Sequence, residues 1–340
     1  MADTNSSVVK GLAARHRWHP AEIAFWLAAC ASFFLLPGWH NFLNEVAILA
    51  LFALSLDLIL GYAGIVSLGH AAFLGFAAYT AGLFAKHVHP DPLIGLAVAS
   101  LASTFVGFVT GFLVLRGNDL TRLMITIGVT LIFYEIANQM GDITGGADGL
   151  QGVEMAPLLG LFRFDMFGRT AHAYSLVMLF VMFLIARRIA NSSFGMSLNA
   201  IRDNPLRAAA IGIPVNRRLI AVYTLAAAFA GVAGALQAQT AQFVGLDALS
   251  FEKSADVMLV LVIGGAGYLY GGIIGAIVFK ILQDVLSSLT PQYWHFWIGL
   301  ILVIIVLIGR DRISKGIASA LGVFRRKPAA APSATAKAGG

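Results

Sequence analysis

Ten stretches of this sequence are runs of apolar residues, at about 21–38, 43–60, 68–86, 91–115, 121–140, 172–190, 218–240, 255–265, 271–289 and 294–309. Most approach the roughly 20 residues that a helix needs to cross a bilayer. Composition agrees: 59% of residues are hydrophobic and 12% are charged, where a soluble domain carries about a quarter charged. The mean hydropathy is +0.82. The chain therefore reads as an all-α polytopic membrane protein of about eight to ten transmembrane helices, some broken or re-entrant. The run at 255–265 is too short to cross alone at about 1.5 Å per residue. It either extends back through Ser254 and Phe251 or is re-entrant.

Charge sets the expected orientation. With the N-terminus inside, Lys10, Arg15, Arg17, Arg116, Arg122 and the loop arginines 187, 188, 202, 207, 217 and 218 are cytoplasmic. So is the tail from Arg310 to Lys337, which brings the cytoplasmic total to 18 of the 23 lysines and arginines. That asymmetry favours an N-in, C-in topology. The pI of about 9.6 thus reports cytoplasmic loops, not a nucleic-acid surface. Three segments follow: a cytoplasmic N-terminal segment at 1–20, a transmembrane domain at 21–310, and a basic tail at 311–340. The tail's Ala, Pro and Gly cannot build a core, so disorder is expected there. The single cysteine, Cys30, excludes an intrachain disulfide. Its setting "LAAC" imitates a lipoprotein cleavage box, but the sequence stays apolar after it and Glu22 interrupts the stretch before it. The first span is expected to be retained.

The loop at 191–218 contains "DNPLRAAAIGIP", which reads as one short helix with both ends marked. Asp203 or Asn204 can cap it, with Pro205 in the first turn. Ala208, Ala209 and Ala210 favour helix. Gly212 suits a left-handed C-terminal cap and Pro214 prevents continuation. Leu206, Ala209, Ala210 and Ile213 form an apolar stripe. Such a helix either lies on the lipid surface or docks a cytoplasmic protein, and its basic flanks suit both.

The stretch "GYAGIVSLGHAAFLGFAAY" places Gly61, Gly64, Ser67, Gly69, His70 and Gly75 between apolar runs. Glycines let helix backbones approach closely, and they permit a break whose helix N-terminus faces a carboxylate, as in several transporters. Ser67 is placed to cap a helix starting near Leu68. Two readings stand: a packing seam with a satisfied histidine, or a pore lining. "GGAGYLYGG", with Gly264, Gly265 and Gly267, repeats the theme as a weak internal repeat. On the external side, "TGGADGLQG" supplies turn chemistry at Gly145, Gly146, Asp148 and Gly149. Asp57, Glu135, Lys280 and Asp284 lie in apolar runs and should face protein or water. Lys280 and Asp284, four apart, are expected to pair.

The segment from Arg202 to Leu236, "RDNPLRAAAIGIPVNRRLIAVYTLAAAFAGVAGAL", resembles the coupling loop of bacterial ABC importer permeases, above all those for branched-chain amino acids. The glycine stretch from Gly61, the external "TGGADGLQG" and "VLVIGGAGYLYGGIIGAI" at Val260–Ile277 are similar to further motifs of that family, in the same order. There is one departure: no acidic residue stands shortly before Gly212, and Asp203 is the only nearby carboxylate. The resemblance implies a non-enzymatic permease subunit in the bacterial inner membrane. Its loop, through Arg202, Asp203, Asn204, Pro205, Ala209 and Gly212, would dock the ATPases. It also implies a second related permease, two ATPase subunits carrying the ATP and Mg, and an external solute-binding protein on the outer loops. The chain has no G-x-x-x-x-G-K-[ST] phosphate loop of its own. Related permeases serve urea, amides and aromatic acids. An ion-coupled carrier using Glu135 or Asp57 is the alternative from another class.

Overall fold

The computed structural model describes residues 20–308. The expected N-terminal segment, apart from Pro20, and the basic tail at 311–340 lie outside them. Every expected apolar run carries a helix. These are α1 (Pro20–Leu35), α2 (His40–Asp57), α3 (Ala71–His87), α4 (Pro92–Val114) and α5 (Asp119–Gln139). A single turn, α6 (Gly141–Thr144), precedes α7 (Arg169–Ala190). Two helices that the apolar runs do not mark follow, α8 (Ser193–Asp203) and α9 (Pro205–Ala210). The rest are α10 (Val215–Ala241), α11 (Phe251–Gly264), α12 (Leu269–Leu289) and α13 (Trp294–Ile308). A π-helical turn, Leu58–Tyr62, continues α2. No β-strand occurs among the described residues. Six helices there are long and apolar enough to cross a membrane: α2 with its π-turn, α4, α5, α7, α10 and α12. The chain is a polytopic all-α membrane protein. The run expected at 255–265 does extend back to Phe251, as the 14-residue α11.

The described residues divide into two compact units, one up to Ile281 and the other from Leu282. In the second, α13 is apolar along its length and opens with Trp294, His295 and Trp297, the amphipathic rings favoured at a membrane–water boundary.

In the first unit, α2 and α10 are central. Within their most apolar windows 83% and 72% of residues are buried, against 28%, 17% and 33% for α4, α5 and α7. The centre is built from small residues, because lipid tails are as apolar as leucine and close packing has to hold the helices together. α10 lies on α2, α3 and α4. Gly231 faces Ser103 on α4, and Gly234 faces the Leu74 carbonyl on α3.

A few polar residues tie this centre. The Ser103 hydroxyl donates to the Ala227 carbonyl at 2.9 Å. Ser175 on α7 donates to Asn44 on α2 at 2.6 Å, and Asn44 donates to Thr240 on α10 at 3.1 Å. Gln239 is fully buried. Its amide donates to the Pro92 carbonyl at 2.7 Å, while its carbonyl accepts from the Tyr174 hydroxyl at 3.2 Å. Gln239→Leu keeps the volume but strands both partners, so a loss of about 1–3 kcal/mol is expected. A lowered midpoint of thermal unfolding in detergent is the measurement; an unchanged midpoint would show that the tie is dispensable.

Candidate functional site

The π-turn at Leu58–Tyr62 is where the two glycine segments meet. Asp57, the last residue of α2, is fully buried. Its Oδ1 accepts from the Gly267 N–H at 2.7 Å, so a residue of the α11–α12 turn is held on the end of α2. The turn brings the backbones into contact at Gly61: a Cβ there would overlap both Asp57 Oδ1 and the Gly267 N–H. Glycine is required by space, not by local conformation. Arg202 reaches the same place from α8, and its Nη1 donates to the Gly61 carbonyl. Gly64 has φ +72°, and a Cβ there would lie 2.8 Å from Arg202 Cγ. The structure thus brings together Asp57, Gly61, Gly64, Gly267 and Arg202. Gly264 and Gly265 close α11 at the start of the same turn.

The remainder of the first glycine stretch packs elsewhere. Gly69 lies against Thr126 and Thr130 of α5. His70 is fully buried. It stacks on Phe52 at 5.4 Å and shares a 2.8 Å hydrogen bond with the Ser55 hydroxyl through Nε2. Its Nδ1 is buried with no hydrogen-bond partner among the described residues, so the ring is packed in the core but only half satisfied. Ser67 does not cap the following helix, which begins at Ala71. Its hydroxyl is buried with no hydrogen-bond partner among the described residues. The cap comes from the far end of the sequence: Ser254 on α11 accepts from the Ala71 N–H at 2.9 Å.

The loop after α7 holds two helices where sequence marks one. α8 starts at Ser192, whose hydroxyl accepts from the Gly195 N–H at 3.4 Å. Ser192 and the apolar spacing of Leu198 and Ile201, both buried, are the signals that could have found it. Of the two candidate caps for α9, Asn204 serves: Oδ1 accepts from the Arg207 N–H at 2.9 Å. Asp203 ends α8 and lies 3.6 Å from Arg202 Nε. Pro205 opens α9. Ala208 is turned inward, whereas Leu206 and Ile211 are 83% and 72% exposed, and Ala209 and Ala210 are exposed beside them. An apolar face is therefore presented outward.

Gly212 follows α9 at φ +89° with nothing within 4 Å of an added Cβ. Gly212→Val meets no neighbour, and its cost is that of left-handed backbone, about 1–2 kcal/mol. Protein that inserts normally but transports less is expected; uptake equal to wild type would mean that the end of α9 does not matter.

On the opposite side of the sequence reading, Gly145, Gly146 and Gly149 all have positive φ and, with Asp148 between them, form a tight turn. Leu150 then bridges to Val244. Glu135, exposed on α5, accepts from Gln139 at 2.6 Å. The partner of Lys280 is Glu45 on α2, at 2.7 Å, and not the Asp284 expected from i,i+4 spacing.

The family described as branched-chain amino acid transport system / permease component matches residues 39–307. The high-affinity branched-chain amino acid transport system permease protein LivM of Escherichia coli is 24% identical over 302 residues, which cover 83% of this chain and 71% of that protein. The galactose/methyl galactoside import permease protein MglC of Haemophilus influenzae is 25% identical over 307 residues, 82% of this chain and 90% of that one. The ribose import permease protein RbsC of Bacillus subtilis is 25% identical over 295 residues, 80% and 84% of the two chains. No solved structure matches significantly.

Proposed function

Because the chain belongs to the family of branched-chain amino acid transport system permease components, we propose that it is the membrane-spanning subunit of an ATP-driven importer for branched-chain or other hydrophobic amino acids. The single observation that carries this reading beyond the family is the α8–α9 pair. It is a capped helical element with an outward apolar face, flanked by Arg187, Arg188, Arg217 and Arg218 and carrying Arg207 within α9. Those charges favour a cytoplasmic position for it, and hence the N-in, C-in topology in a bacterial inner membrane. A surface of that kind is what separate ATPase subunits, carrying ATP and Mg, need to grip. A second, related permease subunit, two ATPases and an external solute-binding protein complete the assembly, within membrane lipid. The binding protein docks on the outer loops, including Thr144–Gly152. The work of this chain is conformational: closure of the ATPases rocks its helices and alternates access, with no covalent step.

The similar identity of the sugar permeases MglC and RbsC favours one second reading, an importer of the same kind for a monosaccharide. Co-purification from native membranes, followed by ATPase and uptake assays, tests both. Co-purifying ATPase subunits, with uptake of leucine competed by isoleucine and valine, is the expected result. Competition by ribose or galactose instead would move the substrate to sugars. Recovery of the chain alone, with uptake that follows a proton or sodium gradient, would overturn the ATP-driven reading in favour of an ion-coupled carrier.

A further inference from the structure

Arg202 sits on the loop that the ATPases are proposed to grip, and its side chain, 40% exposed, also reaches the end of α2. Nη1 donates to the Gly61 carbonyl in the π-turn. The stem runs beside Gly64, where a Cβ would come within 2.8 Å of Cγ, and Nη1 would be 3.3 Å from a Cβ at Gly267. One side chain therefore lies on both glycine segments at the point where Asp57 joins them through the Gly267 N–H. At its other end Arg202 is the penultimate residue of α8, two positions from Asn204, the cap of α9. Helix ends leave carbonyls unpaired, and a π-turn inside a helix marks a place where the backbone is adapted to a local demand. Here one donor of the guanidinium, Nη1, meets the Gly61 carbonyl.

We propose that Arg202 is a positioning residue for transport, the link by which displacement of α8 and α9 is delivered to the end of α2 and to the α11–α12 turn. This rests on the ATP-driven reading. It assigns Arg202 to transmission within the chain, and leaves docking to the outward face of α9.

The test uses the complete complex in proteoliposomes, with ATP hydrolysis and uptake measured together. Absence of ATP-dependent uptake in the wild type would sink the ATP-driven reading before Arg202 is at issue. With the wild type active, Arg202→Ala is expected to keep its ATPase subunits and hydrolyse ATP within about twofold of wild type, while uptake per ATP falls about tenfold or more, the size of a typical coupling between sites. Arg202→Lys should fall between, and it carries the same test if the alanine variant fails to insert and fold in the membrane. Unchanged uptake per ATP would overturn the proposal. So would loss of the ATPase subunits, which would make Arg202 a docking residue.

A covalent replacement separates transmission from mere support. A Cβ at Gly64 would lie 3.5 Å from Arg202 Cβ, at the near edge of the roughly 3.5–4.5 Å that a disulfide spans. In a Cys30→Ala background, the Gly64→Cys/Arg202→Cys protein should be uncoupled when reduced. Forming the disulfide should raise uptake per ATP by about threefold or more. A disulfide verified by mass spectrometry that restores nothing would overturn the link.

Discussion

Gly61→Val is expected to abolish uptake and to reduce sharply the amount of monodisperse protein extracted from membranes. The added Cβ overlaps the backbone N–H of Gly267 and the carboxylate oxygen bonded to it. Neither can rotate aside: one is main chain, and the other is fixed by its own hydrogen bond. Overpacking a tight site costs about 1–3 kcal/mol even where side chains can adjust, and more where they cannot. Gly128→Val is the control. Gly128 also lies within a membrane-crossing helix, but nothing lies within 4 Å of an added Cβ, so uptake within about twofold of wild type is expected. Stable Gly61→Val protein with normal uptake would mean that the two glycine segments do not meet.

The second large effect is expected at Asp57. Asp57→Ala removes the acceptor for the Gly267 N–H at a fully buried position. A buried donor left unpaired costs about 1–3 kcal/mol, and the α11–α12 turn loses its tether to α2. Asp57→Asn keeps a side-chain oxygen in the same place and should cost less than about 1 kcal/mol. Uptake and thermal stability should therefore rank wild type, Asn, Ala, with the larger step at Ala. An ion-coupled carrier that used Asp57 as its titrating site predicts a different order, because Asn would remove ion dependence as completely as Ala. Equal loss in both variants would count against the structural role described here.

The membrane helices were legible because each is a long apolar run, and hydrocarbon allows such a run little choice of conformation. The caps of the loop at 191–218 were legible for a similar reason: Asn204 and Pro205 act on their immediate neighbours. What sequence could not show was set by residues distant along the chain. Ser67 looked like a cap because only neighbours were in view, while the hydroxyl that caps Ala71 belongs to Ser254. Lys280 pairs with Glu45, on a helix more than two hundred positions earlier. The two glycine motifs were each visible in the sequence. That they touch at Gly61 and Gly267, with Arg202 between, is a tertiary fact. The π-turn was illegible for the same reason, since the residues that surround it come from α8 and from the α11–α12 turn.

The single residue between α8 and α9 has a mechanical consequence. Asn204 is extended, at φ −162° and ψ 104°, so the two helices meet at a hinge of one residue with no slack. From Ser192 to Arg202, α8 is an arm of about 15 Å at 1.5 Å per residue. A tilt of about 10° about its anchored end moves the tip by roughly 3 Å, the whole length of a hydrogen bond. A displacement of the six-residue α9 by that amount therefore reaches Arg202, two positions from the hinge, almost undiminished, and is as long as the contact it would have to move.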